Sequence, residues 1–312
     1  MTRCRLACLP SILPALLGGV RSILAARRPE RSSGPGISQR SSGSGWLMAG
    51  PSWSRCVPIR RGWRHAWKSS AASSGPAIRV PSRSPAPPPF CGGVATAEAY
   101  VPGGALLPGA GRSAWAFAEA FARLITLAPR PAEVSALDPP PSWAAWNHAE
   151  AGLWPRPEDP DVNLNEVAGP AWIDDTGRRA RDRLRAGASE AVIGHCDWLA
   201  GNLRWNADKL LVVHDWDSVT ADSEAVLAGF AGALYSTVSV KELATVEETQ
   251  RFLVAYCNAH GRELSADELE RSWAAGVWTR AYDAKYQHAV GQPVLSLTEN
   301  AARERLRRAG IG

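Results

Sequence analysis

The pattern of apolar and polar positions divides the chain into parts with different periodicity. Residues 191–193, 202–205 and 210–213 are short apolar runs, rich in branched, aliphatic or aromatic side chains and bounded by Asn, Asp and Gly. Runs of this kind predict β-strands, and the turn residues at 206–209 predict that the second and third strands form a hairpin.

Helical signals precede this strand-rich centre. The pattern predicts a helix from Ser113, as its cap, to about Leu127, with Trp115, Phe117 and Phe121 among its apolar residues. The stretch that follows, 129–175, is rich in Pro and Trp. It predicts an ordered but irregular insertion, because aromatic residues at this density need burial.

A second upstream helix is predicted from about Thr176 to Ala186, with Gly187 as its end. Downstream of the centre, a run of small apolar residues predicts a buried helix, two Ser/Thr-x-x-Glu capping boxes open two more, and Thr298 caps a last one. These predicted helices are 222–235, 246–260, 266–290 and 299–308. The body is therefore predicted to be α+β and mostly helical, with a small β-hairpin.

Residues 1–91 show neither the helical nor the strand periodicity of apolar positions over any sustained length. They are dense in Arg, Ser, Pro, Gly and Trp, a composition that argues against a packed core. We predict a basic, low-complexity, disordered leader over 1–91 and a folded body over 92–312. A secretory signal, a transit peptide and a nucleic-acid-binding tail are alternative interpretations of the leader, and a stretch read from outside the native frame is the favoured one.

Charge supports the same division. Of the 35 Lys and Arg and 30 Asp and Glu residues, 14 basic and one acidic lie in 1–91, which leaves 21 basic and 29 acidic in the body. An acidic body indicates no nucleic-acid partner and would suit a cationic small molecule. The six cysteines form no CxxC pair and no apolar run is long enough to span a membrane, which predicts a reduced, cytoplasmic protein.

Polar clusters follow the predicted strands at the points where those strands end. His195 and Asp197 follow the first strand, Asn202 stands at the start of the second, and Asp215 and Asp217 follow the third. A closed hairpin would bring Asn202 and Asp215 together beside Asp197. Phosphoryl transfer needs a carboxylate to accept the proton of a hydroxyl and oxygen ligands to hold Mg²⁺, and this set supplies both.

The order His195-x-Asp197-x-x-x-x-Asn202, then an apolar strand and Asp215-Trp216-Asp217, resembles the aminoglycoside phosphotransferase/choline kinase family, relatives of the protein kinases. The resemblance covers about 92–312. It implies a protein-kinase-like fold of which this chain holds the helical C-terminal lobe, and ATP-dependent phosphorylation of a small-molecule hydroxyl.

The resemblance also assigns roles to residues. Asp197 would be the catalytic base, with His195 holding its loop. Asn202 and Asp215 would bind Mg²⁺, with Asp217 as an auxiliary metal-side or structural carboxylate. The segment 98–104 resembles the inter-lobe connection of the family, so Glu98 and Tyr100 would contact the nucleotide. Cys196, Trp198 and Ala200 depart from the residues common in that loop.

The N-terminal lobe of the family is not recognisable in this chain. That lobe supplies a phosphate cover and a Lys–Glu pair, whereas 1–91 contains one lysine, Lys68, outside any strand-like setting. Two alternatives therefore stay open beside an active phosphotransferase. One is a non-catalytic remnant of such an enzyme, and the other is a metallohydrolase with a dinuclear site built from His195, His214 and the three aspartates.

Overall fold

The computed structural model describes the backbone of residues 54–58, 89–90 and 93–97, and backbone with side chains for 101–107, 113–134, 137, 139–157, 162–187, 189–238 and 243–312. The described chain is mostly helical with small antiparallel sheets, which confirms the α+β prediction. Within these ranges, no helix combines the length and the apolar character that a membrane crossing requires.

Three short strands precede the helical body. They are β1 (Ser54–Pro58), β2 (Pro89–Phe90) and β3 (Gly93–Ala97), and they form one antiparallel sheet in the order β1-β3-β2. Strand β1 lies within the predicted leader and pairs with β3 beyond residue 91, from Ser54 opposite Ala97 to Pro58 opposite Gly93. The division at residue 91 stays a prediction, but regular pairing crosses it.

Helix α1 (Ser113–Leu127) follows the predicted bounds, with Ser113 as its first residue. Of its apolar residues, Phe117, Phe121 and Leu124 are buried, whereas Trp115 is 55% exposed. The buried stripe recurs every three to four residues through Phe117 and Phe121, and Trp115 falls off that stripe.

The stretch after α1 is irregular, as predicted, with 3₁₀ turns at Pro131–Glu133 and Ser142–Ala144 and with Trp154 buried. Helix α2 (Ala171–Arg185) begins earlier than the predicted Thr176. Pro170 stands at its N-cap. Proline lacks a backbone N–H, but the first N–H groups of a helix have no hydrogen-bond partner within the helix, so none is lost there.

Four further strands lie in the centre of the chain. Strand β4 (Ala191–His195) pairs with β7 (Val219–Ser223), and β5 (Leu203–Asn206) forms the predicted hairpin with β6 (Lys209–Val213). Strand β7 was not predicted, because the sequence pattern assigned residues from 222 onwards to a helix. Its pairing with β4, from His195 opposite Val219 to Ala191 opposite Ser223, is a contact between distant segments.

The helices after the centre build the core. They are α3 (Glu224–Leu234), α4 (Val246–His260), α5 (Ala266–Ala289) and α6 (Glu299–Arg308). Both predicted capping boxes are present, at Thr245 with Glu248 and at Ser265 with Glu268. Helix α5 is buried along most of its length by α2, α3 and α6, and its Trp273, Val277 and Trp278 side chains are within the core.

Candidate functional site

His195 ends strand β4 as a fully buried side chain between Trp198 and Trp216, each edge-on to its ring. Its Nε2 lies 3.0 Å from the carbonyl oxygen of His214, and its Nδ1 accepts a 3.2 Å hydrogen bond from the backbone N–H of Asp197. A carbonyl oxygen only accepts and a backbone N–H only donates, so these partners fix the neutral tautomer with the proton on Nε2. The ring thereby ties the loop after β4 to the end of β6.

Asp197 and Asn202 are in direct contact. The Nδ2 group of Asn202 donates to the backbone carbonyl and to Oδ2 of Asp197, both at 2.9 Å. The chain between them is closed by hydrogen bonds from Leu199 N–H to Asp197 O and from Asn202 N–H to Leu199 O, around a 3₁₀ turn at Ala200–Asn202. The predicted base is therefore held in a fixed orientation by the predicted metal ligand.

The hairpin places Asp215 next to this loop. The Leu203–Val213 pair ends the ladder, and one step on the backbone N–H of His214 donates to Asn202 O at 2.8 Å. Asp215, the next residue, has φ 65° and ψ 45°, a left-handed conformation. The alternation of side chains along a strand therefore does not extend to Asp215.

Residues after Asp215 return the chain to β4. A 3₁₀ turn at Trp216–Ser218 carries Asp217, which is half-buried. The carbonyl oxygen of Ser218 accepts hydrogen bonds from the backbone N–H of Cys196 at 3.0 Å and from its Sγ at 2.9 Å. Asp217 is thus held within the same set of loops, two residues from Asp215. The convergence of Asn202, Asp215 and Asp217 on one cation stays a prediction.

A metal could be held by part of this set. Both partners of the Asn202 Nδ2 group are acceptors, so the amide orientation is unambiguous and Oδ1 lies on the opposite side of the amide carbon from the contact with Asp197. An amide oxygen and carboxylates suit a hard cation such as Mg²⁺. The described part of the chain contains no group of three or more His, Cys, Asp or Glu side chains arranged to hold a metal.

Comparison with known proteins gives a weak result. No family model matches the chain, and no curated protein matches it by sequence. Among solved structures, the chain is similar to a choline/ethanolamine kinase family protein from Mesorhizobium loti, at 17% sequence identity and a TM-score of 0.44, over 74% of this chain and 72% of that one. A likeness at this level assigns neither a family nor a function.

The predicted nucleotide contacts Glu98 and Tyr100 lie outside the described residues, but the end of their segment is described. Ala105 forms an isolated antiparallel bridge with Trp205, with two N–H to O hydrogen bonds of 2.9 Å. The preceding Gly104 has φ 75°, and a Cβ there would press on the side chains of Leu211 and Arg204. The segment that resembles an inter-lobe connection therefore packs on the hairpin that carries the site.

Asp283 on α5 is only partly exposed and is closely surrounded by protein atoms. The loss of water contact raises the pKa of its carboxyl to about 7, and the charge of Arg280 offsets part of that rise. Arg280 itself is buried and donates to the carbonyl oxygens of Ala233, Ala244 and Ser296. Asp283 is thus a carboxylate whose protonation changes near neutral pH.

Proposed function

We propose that this chain is a small-molecule phosphotransferase that transfers the γ-phosphoryl group of ATP to a hydroxyl group with the help of Mg²⁺. The single observation that carries the proposal is the contact between Asp197 and Asn202 on a loop whose Asn202 carbonyl is tied to His214, one residue before Asp215. The order and spacing of these residues, which resemble the aminoglycoside phosphotransferase/choline kinase family, support it independently.

Asp197 is the proposed general base. Its carboxylate would accept the proton of the substrate hydroxyl while that oxygen bonds to the γ-phosphorus and the bond from phosphorus to the bridging oxygen of ADP breaks. The Nδ2 contact from Asn202 keeps one carboxylate oxygen oriented, and the loop bonded to His195 limits movement of the backbone. Orientation of this kind is the main protein contribution to phosphoryl transfer.

Asn202 and Asp215 are the residues proposed to hold Mg²⁺, with Asp217 beside them. When bound, Mg²⁺ would neutralise charge on the phosphates of ATP. Oδ1 of Asn202 and the carboxylate of Asp215 are the ligands that would suit such a site. The left-handed backbone at Asp215 sets the direction in which its side chain leaves the main chain.

The proposed acceptor is a small alcohol that also carries a positive charge. The acidic balance of residues 92–312 would attract a cation, and Asp283 is a carboxylate that a cation in contact with it would shift towards its ionised form. Amino alcohols and amino sugars are the corresponding chemical class.

The test is release of ADP from ATP with a panel of amino alcohols and amino sugars, followed by kinetics of Asp197→Ala. We expect the turnover number to fall at least about a thousandfold, since the base and its orientation are both lost, while MgATP binding and the thermal midpoint change little. Asp208→Ala is the matched control, because Asp208 is an exposed aspartate in the turn of the same hairpin; it should behave as the wild type.

The alternative, a non-catalytic remnant, has a distinct signature. Calorimetric titration of the full chain with ATP at millimolar Mg²⁺ should detect binding if the proposal is right. No binding would instead favour the remnant. An unchanged turnover number in Asp197→Ala would refute Asp197 as the base even if ATP binds.

A further inference from the structure

Arg204 is a charged residue next to the proposed site that the sequence pattern did not single out. On strand β5 it lies between Leu203 and Trp205, which are both buried, so alternation places it on the opposite face, away from the core. It is nevertheless half-buried. A half-buried arginine two residues from a proposed metal ligand calls for a physical account.

The hydrogen bonds of Arg204 explain why it is half-buried. The NH1 group of Arg204 donates to the carbonyl oxygen of Gly201 at 2.7 Å and to that of Leu203 at 3.0 Å. These are the carbonyls of the residues immediately before and after Asn202. One guanidinium nitrogen therefore spans Asn202, since it binds the peptide group between Gly201 and Asn202 and the peptide group between Leu203 and Arg204.

This contact holds the chain where it passes from the 3₁₀ turn at Ala200–Asn202 into β5. Asn202 is also fixed on its other sides, by Nδ2 to Asp197 and by its carbonyl oxygen to His214 N–H. Gly104 lies close to the start of the Arg204 side chain, since a Cβ at Gly104 would come within 3.1 Å of Arg204 Cβ. The first part of the Arg204 side chain thus packs against Gly104, while its guanidinium group reaches back to Gly201.

We propose that Arg204 is a positioning residue, which holds Asn202 in the conformation in which its Oδ1 can bind Mg²⁺. The inference rests on the proposed function and adds to it the residue that pre-organises one metal ligand. Arginine suits this role because its rigid planar group can address two fixed acceptors, whereas lysine presents a single flexible ammonium. Supporting residues of metal ligands typically contribute a factor of about 10–100 to metal affinity.

The experiment uses the full chain, Mn²⁺ as a paramagnetic substitute for Mg²⁺, and a non-hydrolysable ATP analogue. Bound Mn²⁺ is measured by electron paramagnetic resonance for the wild type, Arg204→Met, Asn202→Ala and the double variant. We expect Arg204→Met to weaken Mn²⁺ binding about tenfold and metal-free nucleotide binding less than about twofold. In the double variant the Arg204 substitution should add nothing to the loss caused by Asn202→Ala, because it acts through that residue.

Lys209→Met is the matched control, since it removes one positive charge from the exposed start of β6 on the same hairpin. It should leave Mn²⁺ affinity unchanged. If Arg204→Met does not fold, Arg204→Lys keeps the charge and should still lose most of the contribution of Arg204 to Mn²⁺ affinity. Wild-type Mn²⁺ affinity in the Arg204 variants, or additive losses in the double variant, would overturn the positioning role while the proposed function stands. A wild-type chain without metal-dependent nucleotide binding would overturn both.

Discussion

Asp215 adopts a left-handed backbone conformation, with φ 65° and ψ 45°. Such a conformation costs a non-glycine residue about 1–2 kcal/mol, although aspartate tolerates it better than most residues. One other described non-glycine residue has positive φ, Ala207 at 54°, and it lies in the hairpin turn. A turn of this type favours positive φ for geometric reasons. At Asp215 no such turn is formed, so the conformation is set by the loops that meet there.

The contribution of the Asp215 backbone conformation to stability can be distinguished from the contribution of its side chain to Mg²⁺ binding. Asp215→Gly and Ala207→Gly should each change the free energy of unfolding by less than about 1 kcal/mol, because relief of strain and the greater freedom of the unfolded chain oppose each other. Only Asp215→Gly should abolish Mg²⁺-dependent ATP binding. Urea denaturation and calorimetry measure the two effects. Retained binding in Asp215→Gly would exclude Asp215 as a metal ligand.

Asp283 predicts how stability depends on pH. The pKa of its carboxyl is raised to about 7 from the ordinary value of 3.8, chiefly by the loss of water contact, so the folded state holds the proton more tightly than the unfolded state does. The contribution to stability is therefore complete below about pH 4 and is lost as pH rises through about 7. The whole difference is on the order of 4 kcal/mol.

Replacement Asp283→Asn should remove this dependence. We expect the variant to be more stable than the wild type above pH 7 and to lose less stability between pH 4 and pH 8. Chemical denaturation across that range measures it. Asp182→Asn serves as a control for removal of one negative charge, since Asp182 is an exposed residue of α2. Parallel pH profiles of wild type and Asp283→Asn would contradict the assignment.

At the scale of elements, α3 and α5 approach each other closely at Gly229. A Cβ at that position would overlap the carbonyl oxygen of Ser272 in the backbone of α5, and Gly276 lies opposite the backbone of Gly229. Small residues at such crossings let two helix backbones come together. The position of α3 matters for the site, because strand β7 leads directly into it.

Gly229→Ala should therefore destabilise the fold by about 1–3 kcal/mol, since the added methyl group meets rigid backbone and the helices must separate. Gly201→Ala is the control, as no atom lies within 4 Å of a Cβ at that position. Thermal and urea denaturation of both variants checks the expectation. Equal stability of Gly229→Ala and wild type would mean that α3 and α5 can shift without cost.

The sequence predicted elements best where their signals are local. The capping box of Thr245 with Glu248 and the αL residue Gly261 bound α4 as expected, because a cap and a stop each act within a few residues. Strand β7 and the early start of α2 were missed. Val219–Ser223 becomes a strand only through hydrogen bonds to β4, and no periodicity within five residues announces a partner elsewhere in the chain.

Across the whole molecule, one buried side chain fastens the irregular stretch to the helical core. Arg181 on α2 donates from Nε to Trp146 O at 2.7 Å, from NH2 to His148 O at 2.9 Å and from NH1 to Gly152 O at 2.9 Å and Leu153 O at 3.1 Å. These carbonyls belong to a segment with little regular structure of its own, so Arg181 supplies partners that a helix or sheet would otherwise provide.

Arg181→Lys should accordingly destabilise the protein by about 2–4 kcal/mol, because an ammonium cannot reach four carbonyls arranged around a planar guanidinium. Hydrogen exchange should rise most in 146–153. Arg178→Lys is the control, since Arg178 is an exposed residue of the same helix whose described ion pair is with Asp175 at 3.3 Å. Equal hydrogen exchange of residues 146–153 in Arg181→Lys and Arg178→Lys would show that the segment is held by other contacts.

The amino-acid sequence by itself determined the α+β class, the capped helices of the second half, the hairpin and the chemical types gathered around it. All of these depend on hydrogen bonds, turns and periodicities within a few neighbouring residues. Only the tertiary structure decided that Asn202 contacts Asp197, that His214 N–H meets Asn202 O, and that Arg204 spans Asn202. Four of the five acceptors in these contacts are backbone carbonyls, which every residue carries, so no pattern of side chains along the chain could single them out.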